Sequence, residues 1–213
     1  MISVIIPALN EENYIENTLK SIKNSDYKDY EIIVVANGCE DKTVDKARKL
    51  ADRIIVLKEK SASKARNVGA SKAKGDILIF LDADTLVSED TLSEIAISGY
   101  DVGTCKAKPD NNKLIARTLI ALKNKVLWTK WSNGIIFCNK KIFEKIGGFR
   151  EDLTKGEDGL FLRNGAKHGK YGIARTYVVN SMRRFEKWGY FYVELFWVKE
   201  TLFPSKKEYP VVR

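Results

Sequence analysis

Two aspartates, Asp82 and Asp84, stand one residue apart at the end of the apolar run Ile77-Leu-Ile-Phe-Leu81. An unbroken run of this kind reads as a strand buried on both faces, and it is too short to span a bilayer. Two like charges at its tip repel one another and lose hydration, and a neighbouring cation offsets both costs. Carboxylates presented in this way suit a divalent cation that also holds phosphate oxygens. The same residues serve without a ligand if the strand ends in an Asp-rich turn with a helix cap at Asp84 or Ser88.

The elements that must position this pair follow from periodicity. Ser3 to Pro7 reads as a strand, after which Asn10 can cap a helix carrying Ile15, Leu19 and Ile22 at helical spacing. Glu31 to Ala36 is a second buried strand, followed by the turn Asn37-Gly38 and a helix through Val44, Ala47 and Leu50. Arg53 to Leu57 is a third, with a helix from Ser63 to Lys74 leading to the fourth strand at Ile77. Strands and helices alternating at these intervals predict an α/β fold with a mostly parallel sheet and right-handed crossovers. In such a sheet ligands bind beyond the carboxyl ends of the strands. That edge collects Asn10 and Glu11, then Asn37, then Ser63, Lys64, Arg66 and Asn67, and finally Asp82 and Asp84. Each has an ordinary use alone. Together they suit a nucleoside diphosphate, with amide and carboxyl groups for base and ribose, Arg66 for phosphate charge and the aspartate pair for a bridging cation.

The second half reads as less regular. Val102 to Lys108 and Ile173 to Val179 are extended, and Ile135 to Cys138 is a short strand. Leu114 to Trp128 is helical by the spacing of Ile115, Leu119, Leu122 and Val126, with Arg117, Lys123 and Lys125 on a basic side. Lys141 to Ile146 and Gly159 to Lys167 read as helices, Gly147-Gly148-Phe149 as a turn, and Trp188 to Leu202 as a final helix. With no internal repeat beyond the strand-helix units and no Pro/Gly linker, residues 1–213 are expected to form one domain.

The net charge of +9 predicts an anionic partner such as a nucleotide, a phosphate or a membrane surface. Nucleic acid is not expected, because the lysines are scattered and no helix-turn-helix, zinc-knuckle or RNP pattern is present. Cys39, Cys105 and Cys138, with one histidine, form neither a disulfide framework nor a zinc site and suit a reducing compartment. Met1 leads straight into an apolar strand with no basic flank, which predicts a cytoplasmic protein. Eight aromatic residues between Phe185 and Phe203, interrupted by Glu194, Lys199 and Glu200, either close the core or lie at a membrane interface beside the basic helix. In the second case the protein is peripheral on the cytosolic membrane face and a lipid-linked acceptor becomes plausible.

Several stretches then resemble one family. They are Val4-Ile-Ile-Pro7-Ala-Leu-Asn10-Glu11-Glu12, Val35-Ala-Asn37-Gly38, Lys64-Ala-Arg66-Asn67-Val-Gly69, Asp82-Ala-Asp84, Phe143-Glu-Lys-Ile-Gly147-Gly148-Phe149 and Gly156-Glu157-Asp158. In order and placement they are similar to the family 2 glycosyltransferases of GT-A fold, over nearly the whole chain. The resemblance implies a metal-dependent, inverting transfer from a UDP- or GDP-sugar to a hydroxyl acceptor, such as a polyprenyl-phosphate or a glycan. It implies a nucleotide-sugar-binding half over 1–100, an acceptor and catalytic half over 101–184 and an aromatic helix over 185–203. Pro7, Ala8, Asn10, Glu11 and Asn37 would line the nucleoside pocket, with Lys64 and Arg66 near the base or phosphates. Asp82, Ala83 and Asp84 would form the metal motif, with Asp84 coordinating Mg²⁺ or Mn²⁺ directly and Asp82 reaching the ribose or the metal. The catalytic base falls at Glu157-Asp158, where the family's second acid is missing and Gly159-Leu160 follows; family position favours Asp158. Arg183 and Arg184 would face the diphosphate. Trp131, Asn133 and Gly134 precede the second-half strand and are candidates for the acceptor side. His168 reads as an exposed residue at a helix end.

Two other classes compete on the residues alone. Phe80-Leu-Asp82-Ala-Asp84-Thr85 also matches the nucleophile motif of HAD-type phosphatases, although that motif belongs on a first strand and three strand-helix units precede it here. The charge also permits a catalytically silent nucleotide-binding module.

Overall fold

The structure is a computed structural model and describes residues 1–153, 155–193 and 195–196. The first half runs β1 (Ile2–Ala8), α1 (Ile15–Lys23), β2 (Tyr30–Asn37), α2 (Thr43–Ala47), β3 (Arg53–Leu57), α3 (Ala62–Lys72) and β4 (Ile77–Leu81). The chain continues through β5 (Thr85–Val87), α4 (Thr91–Ile97), β6 (Val102–Pro109), α5 (Leu114–Lys125) and a 3-10 turn at Leu127–Thr129. It ends with β7 (Ile135–Asn139), α6 (Lys140–Ile146), α7 (Glu157–Gly165), β8 (Tyr171–Asn180) and α8 (Arg183–Trp188).

All eight strands join one sheet in the order β3-β2-β1-β4-β7-β6-β8-β5. Its first four positions are parallel, as the strand-helix alternation predicts. The remainder is mixed: β7 is antiparallel to both β4 and β6, β6 and β8 are parallel, and β5 is antiparallel to β8. The second half adds four strands to the same sheet, in mixed directions and out of chain order. Strands β6, β7 and β8 fall on the three runs expected to be extended, and a register shift between Cys105 and Lys106 interrupts the pairing of β6 with β8.

Side chains alternate between two cores. Val4, Ile6, Ile32 and Val34 point to one face with α1, α4 and α5, through Leu19, Leu92 and Ile120. Ile5, Ile33 and Val35 point to the other with α3, α6 and α7, through Ala65, Phe143 and Phe161. Burial on both faces explains why these strands are continuous apolar runs.

Some local expectations fail. Asn10 caps no helix: α1 starts after Tyr14 without a side-chain cap, while Asn10 sits at φ 56 and its Oδ1 accepts from Glu40 N at 2.8 Å. An amide side chain tolerates this left-handed conformation, which turns the chain at the end of β1. The cap at Asp84 or Ser88 fails too, since α4 begins after Asp90. The aromatic C-terminal helix is divided: α8 ends at Trp188, Gly189 follows at φ 87, and helical backbone resumes at residues 190–193 and 195–196. The rest of that expected helix lies outside the described residues. Among the described residues no helix is long and apolar enough to cross a membrane.

Candidate active site

The antiparallel pairing of β7 with β4 sets the aspartate turn. Their register opposes Leu81 to Ile135, so Asp82 N donates to Gly134 O at 2.9 Å. Gly134 lies at φ 76, and a Cβ there would fall 2.6 Å from Thr85 Oγ1. From α1, Thr18 Oγ1 donates to Ala83 O at 2.8 Å, and Thr85 N closes the turn onto Asp82 O at 3.1 Å. Both carboxylates are thus held at one sheet edge by neighbours on three sides.

Two arginines organise the charges around them. Arg183, at the start of α8, donates Nη1 and Nη2 to Glu11 Oε2 and Oε1 at 2.8 and 2.6 Å. Its Nη2 also lies 3.0 Å from Asp84 Oδ2, and the guanidinium stands 4.3 Å from the centre of the Tyr14 ring. Arg66, on α3 with 6% of its side chain exposed, meets three carboxylates: Asp82 Oδ1 at 3.1 Å, Glu157 Oε1 at 3.0 Å and Asp158 Oδ1 at 2.9 Å. Phe149 lies under it, 5.1 Å from guanidinium carbon to ring centre, and stacks on Phe161. Gly156, at φ 72, turns the chain into α7 and so delivers Glu157 and Asp158, and Ser132 Oγ donates to Asp158 Oδ2 at 2.9 Å.

The electrostatics follow from burial and crowding. Burial opposes the charge on Arg66, and Asp158, Asp82 and Glu157 overcome it, raising its pKa further above the guanidinium range. Burial first, and then the charges of Asp158 and Asp84, push Asp82 up to about 7 against the pull of Arg66. Its side chain nevertheless keeps 41% of its surface exposed, so one side remains open to a ligand. Burial also raises Glu157, with the Asp158 charge adding to it and Arg66 opposing. Glu11 is raised by burial and partly restored by Arg183.

The sequence-predicted residues divide into those gathered here and those that are not. Glu11, Arg66, Asp82, Asp84, Glu157, Asp158 and Arg183 form the two linked charge networks, and Ala83 and Gly134 build the turn. Pro7 and Ala8 end β1 beside β2, and Ala8 O accepts from Cys39 Sγ at 3.1 Å. Asn37 ends β2, 3% exposed, with no hydrogen-bond partner for its buried Oδ1. Arg66 is engaged by carboxylates where phosphate was expected. Lys64 Nζ turns to Glu59 at 2.7 Å, outside the network. Asn133 is 5% exposed and donates to Asn124 Oδ1, Trp131 is 43% exposed, and Arg184 is half-buried in the first turn of α8. Tyr14 and Phe149 were missed as supports of the arginines, because an aromatic beside a helix start or a turn reads as ordinary packing.

A cleft of about 320 Å³ opens beside Arg183, lined by Asn10, Glu12, Asn13, Tyr14, Glu40 and Asp41. A smaller one of about 210 Å³ is lined by Asp84 with Asn13, Tyr14, Asn17, Asp110 and Ser181. Among the described residues no group of three or more His, Cys, Asp or Glu side chains is placed to hold a metal. The donor set fits a hard divalent cation that takes one or two carboxylates from the protein and its other ligands from phosphate oxygens. That Asp84 already draws a guanidinium agrees with a demand for positive charge there.

Residues 3–97 match the family model described as Glycosyl transferase family 2. The chain is 32% identical over 180 residues to the GalNAc(5)-diNAcBac-PP-undecaprenol beta-1,3-glucosyltransferase of Campylobacter jejuni, covering 76% of this chain and 58% of that one. It is 28% identical over 179 residues to the poly(ribitol-phosphate) beta-N-acetylglucosaminyltransferase TarS of Staphylococcus aureus, 75% of this chain and 31% of that one. The crystal structure of S. aureus TarS 1-349 in complex with UDP-GlcNAc superposes with TM-score 0.70 at 24% identity, over 84% of this chain and 58% of that one. The mannosyltransferase PcManGT from Pyrobaculum calidifontis, in complex with GDP-Man and Mn²⁺, does so with TM-score 0.70 at 23% identity, over 84% and 56%. The chain spans less than two thirds of each of these proteins.

Proposed function

The chain belongs to glycosyltransferase family 2 and has the GT-A fold, and from that premise we propose that it moves a sugar from a nucleoside-diphosphate sugar to a hydroxyl acceptor with inversion at the anomeric carbon. The observation that carries this reading is the convergence of Asp82, Asp84, Glu11, Arg183, Arg66 and Asp158, from five separate parts of the chain, on one sheet edge. Asp84 and Asp82 would hold Mg²⁺ or Mn²⁺, which supplies Lewis-acid stabilisation to the departing diphosphate. The buried, unpartnered Oδ1 of Asn37 suits an N–H of the base. Arg183 lies 3.0 Å from Asp84 and would add charge to the diphosphate once Asp84 is drawn away from it.

Asp158 acts as the base. It accepts the acceptor hydroxyl's proton as that oxygen bonds to the anomeric carbon, while the bond from this carbon to phosphate breaks and its electron pair leaves with the nucleoside diphosphate. Ser132 and Arg66 orient the carboxylate, and Asp158 is more open than Glu157, with 27% against 16% of the side chain exposed. UDP and GDP donors both bind to relatives of this fold, and the name of the Campylobacter relative carries a polyprenyl diphosphate. A glycan or a polyprenyl-phosphate is therefore the acceptor class to test. The phosphatase reading loses support because its nucleophile would be Asp82, whose Oδ1 is paired to Arg66.

A thermal-shift panel of UDP- and GDP-sugars with Mn²⁺ tests donor binding. Asp84→Ala is expected to abolish the metal-dependent shift. Asp158→Asn is expected to keep it and to slow transfer by about 10²–10⁴-fold. Transfer at the parent rate by Asp158→Asn would remove that residue from its role and pass it to Glu157.

A further inference from the structure

We propose that the face built by α5, the 3-10 turn after it and residues 190–193 and 195 is a docking surface for an anionic lipid bilayer, which it holds beside the catalytic carboxylate. Leu114 is 78% exposed, Leu122 54%, Trp128 67%, Phe191 80% and Leu195 68%. Large apolar residues gathered this way on neighbouring elements mark an interaction site. The α5 segment packs against α8, which leads into residues 190–193: Lys113 Nζ lies 2.6 Å from Glu186 Oε1, and Lys123 Nζ stands 4.8 Å from the centre of the Phe185 ring. Ala116, Ile120 and Val193 turn inward to one shared core, which leaves the other sides of both segments outward.

Charge selects the partner. From Lys113 to Trp131 the chain carries Arg117, Lys123, Lys125 and Lys130, besides Lys113 paired to Glu186, and no aspartate or glutamate of its own. Aliphatic side chains interleaved with lysine, and tryptophan at the end, fit the boundary between acidic headgroups and acyl chains. A glycan platform would instead pair its aromatic rings with carboxylate and amide groups. The face also lies close to the site: past the 3-10 turn, the carbonyl oxygen of Lys130 lies 3.3 Å from a Cβ built at Gly159, and Ser132 Oγ donates to Asp158. Bilayer binding stands on this surface alone. Only the further step, that the membrane presents the acceptor hydroxyl, rests on the transferase reading.

The full chain should float with vesicles of phosphatidylglycerol and phosphatidylcholine at low salt, and neither with phosphatidylcholine alone nor at high salt. Leu122→Glu combined with Trp128→Ala should lower the floated fraction at least tenfold, roughly, while thermal unfolding and donor hydrolysis stay unchanged. No flotation of the parent, or equal flotation of the variant, would overturn the proposal. So would self-association through this face in its place, or flotation that appears only after residues 197–213 are removed, which would make those residues the occupant. Loss of donor hydrolysis in parent and variant alike, with flotation following the pattern above, would reject the transferase reading and leave the surface standing.

Discussion

Arg66 places one cation among three carboxylates in a nearly sealed position, so its removal does more than delete an ion pair. Asp82, Glu157 and Asp158 would face one another uncompensated. Arg66→Ala should therefore cost about 3–5 kcal/mol in urea unfolding, with Arg66→Lys between it and the parent. A second expectation concerns pH. Asp82 is pushed up to about 7, above the ordinary carboxylate value, so in the ligand-free protein it takes up a proton that the unfolded chain has already released. Its contribution to stability therefore declines as pH rises from the carboxylate range through about 7. Cation and proton compete for the same oxygens, so metal affinity moves the other way. The shift in melting temperature on adding Mn²⁺ should grow between roughly pH 6 and 8 and then level off, and a shift of constant size across that range would remove Asp82 from the metal site. The sequence made the aspartates, Glu11 and Arg66 legible as neighbours of one edge, because strand ends fix where such residues emerge. It left their pairing hidden. Whether Arg66 meets phosphate or carboxylate depends on how α3 sits over the sheet and on where α7 returns, neither of which periodicity encodes.

At the level of elements, the turn after α6 clamps α3 to the second half. Asn67 Oδ1 accepts from Phe149 N at 2.8 Å, its Nδ2 donates to Phe149 O at 2.9 Å, and Phe149 in turn supports Arg66. The clamp depends on Gly148, at φ 75, where a Cβ would fall 2.6 Å from Asn67 Oδ1. Gly148→Ala is expected to destabilise by about 1–3 kcal/mol in urea unfolding and to lower transfer by displacing Arg66. Gly147→Ala shares the positive φ but meets nothing within 4 Å, so comparing the two separates backbone strain from the lost clamp. The first four strands and their helices were readable because burial on both faces leaves long apolar runs. Three-residue β5 is too short to show a pattern, and β7 was found as a strand while its antiparallel direction was not. An apolar run carries no mark of its neighbour's direction, yet that direction brings Gly134 to Asp82.

For the whole molecule, the sheet separates two cores and leaves the charged edge between them, with residues from positions 11 to 183 meeting there. Binding of donor and Mn²⁺ should therefore stabilise the fold as a unit, by about 2.7 kcal/mol at a hundredfold excess over Kd. For a chain of this size that corresponds to a rise of about 5–10 °C in Tm. Two separate unfolding transitions, of which only one shifts, would show the halves to be energetically independent. The link between Glu11 and Arg183 joins residues 172 positions apart. On a ribosome, Glu11 and Asp84 leave the exit tunnel long before their shared counter-charge. A nascent chain that ends before Arg183 therefore carries Glu11 and Asp84 without the guanidinium that joins them in the finished fold.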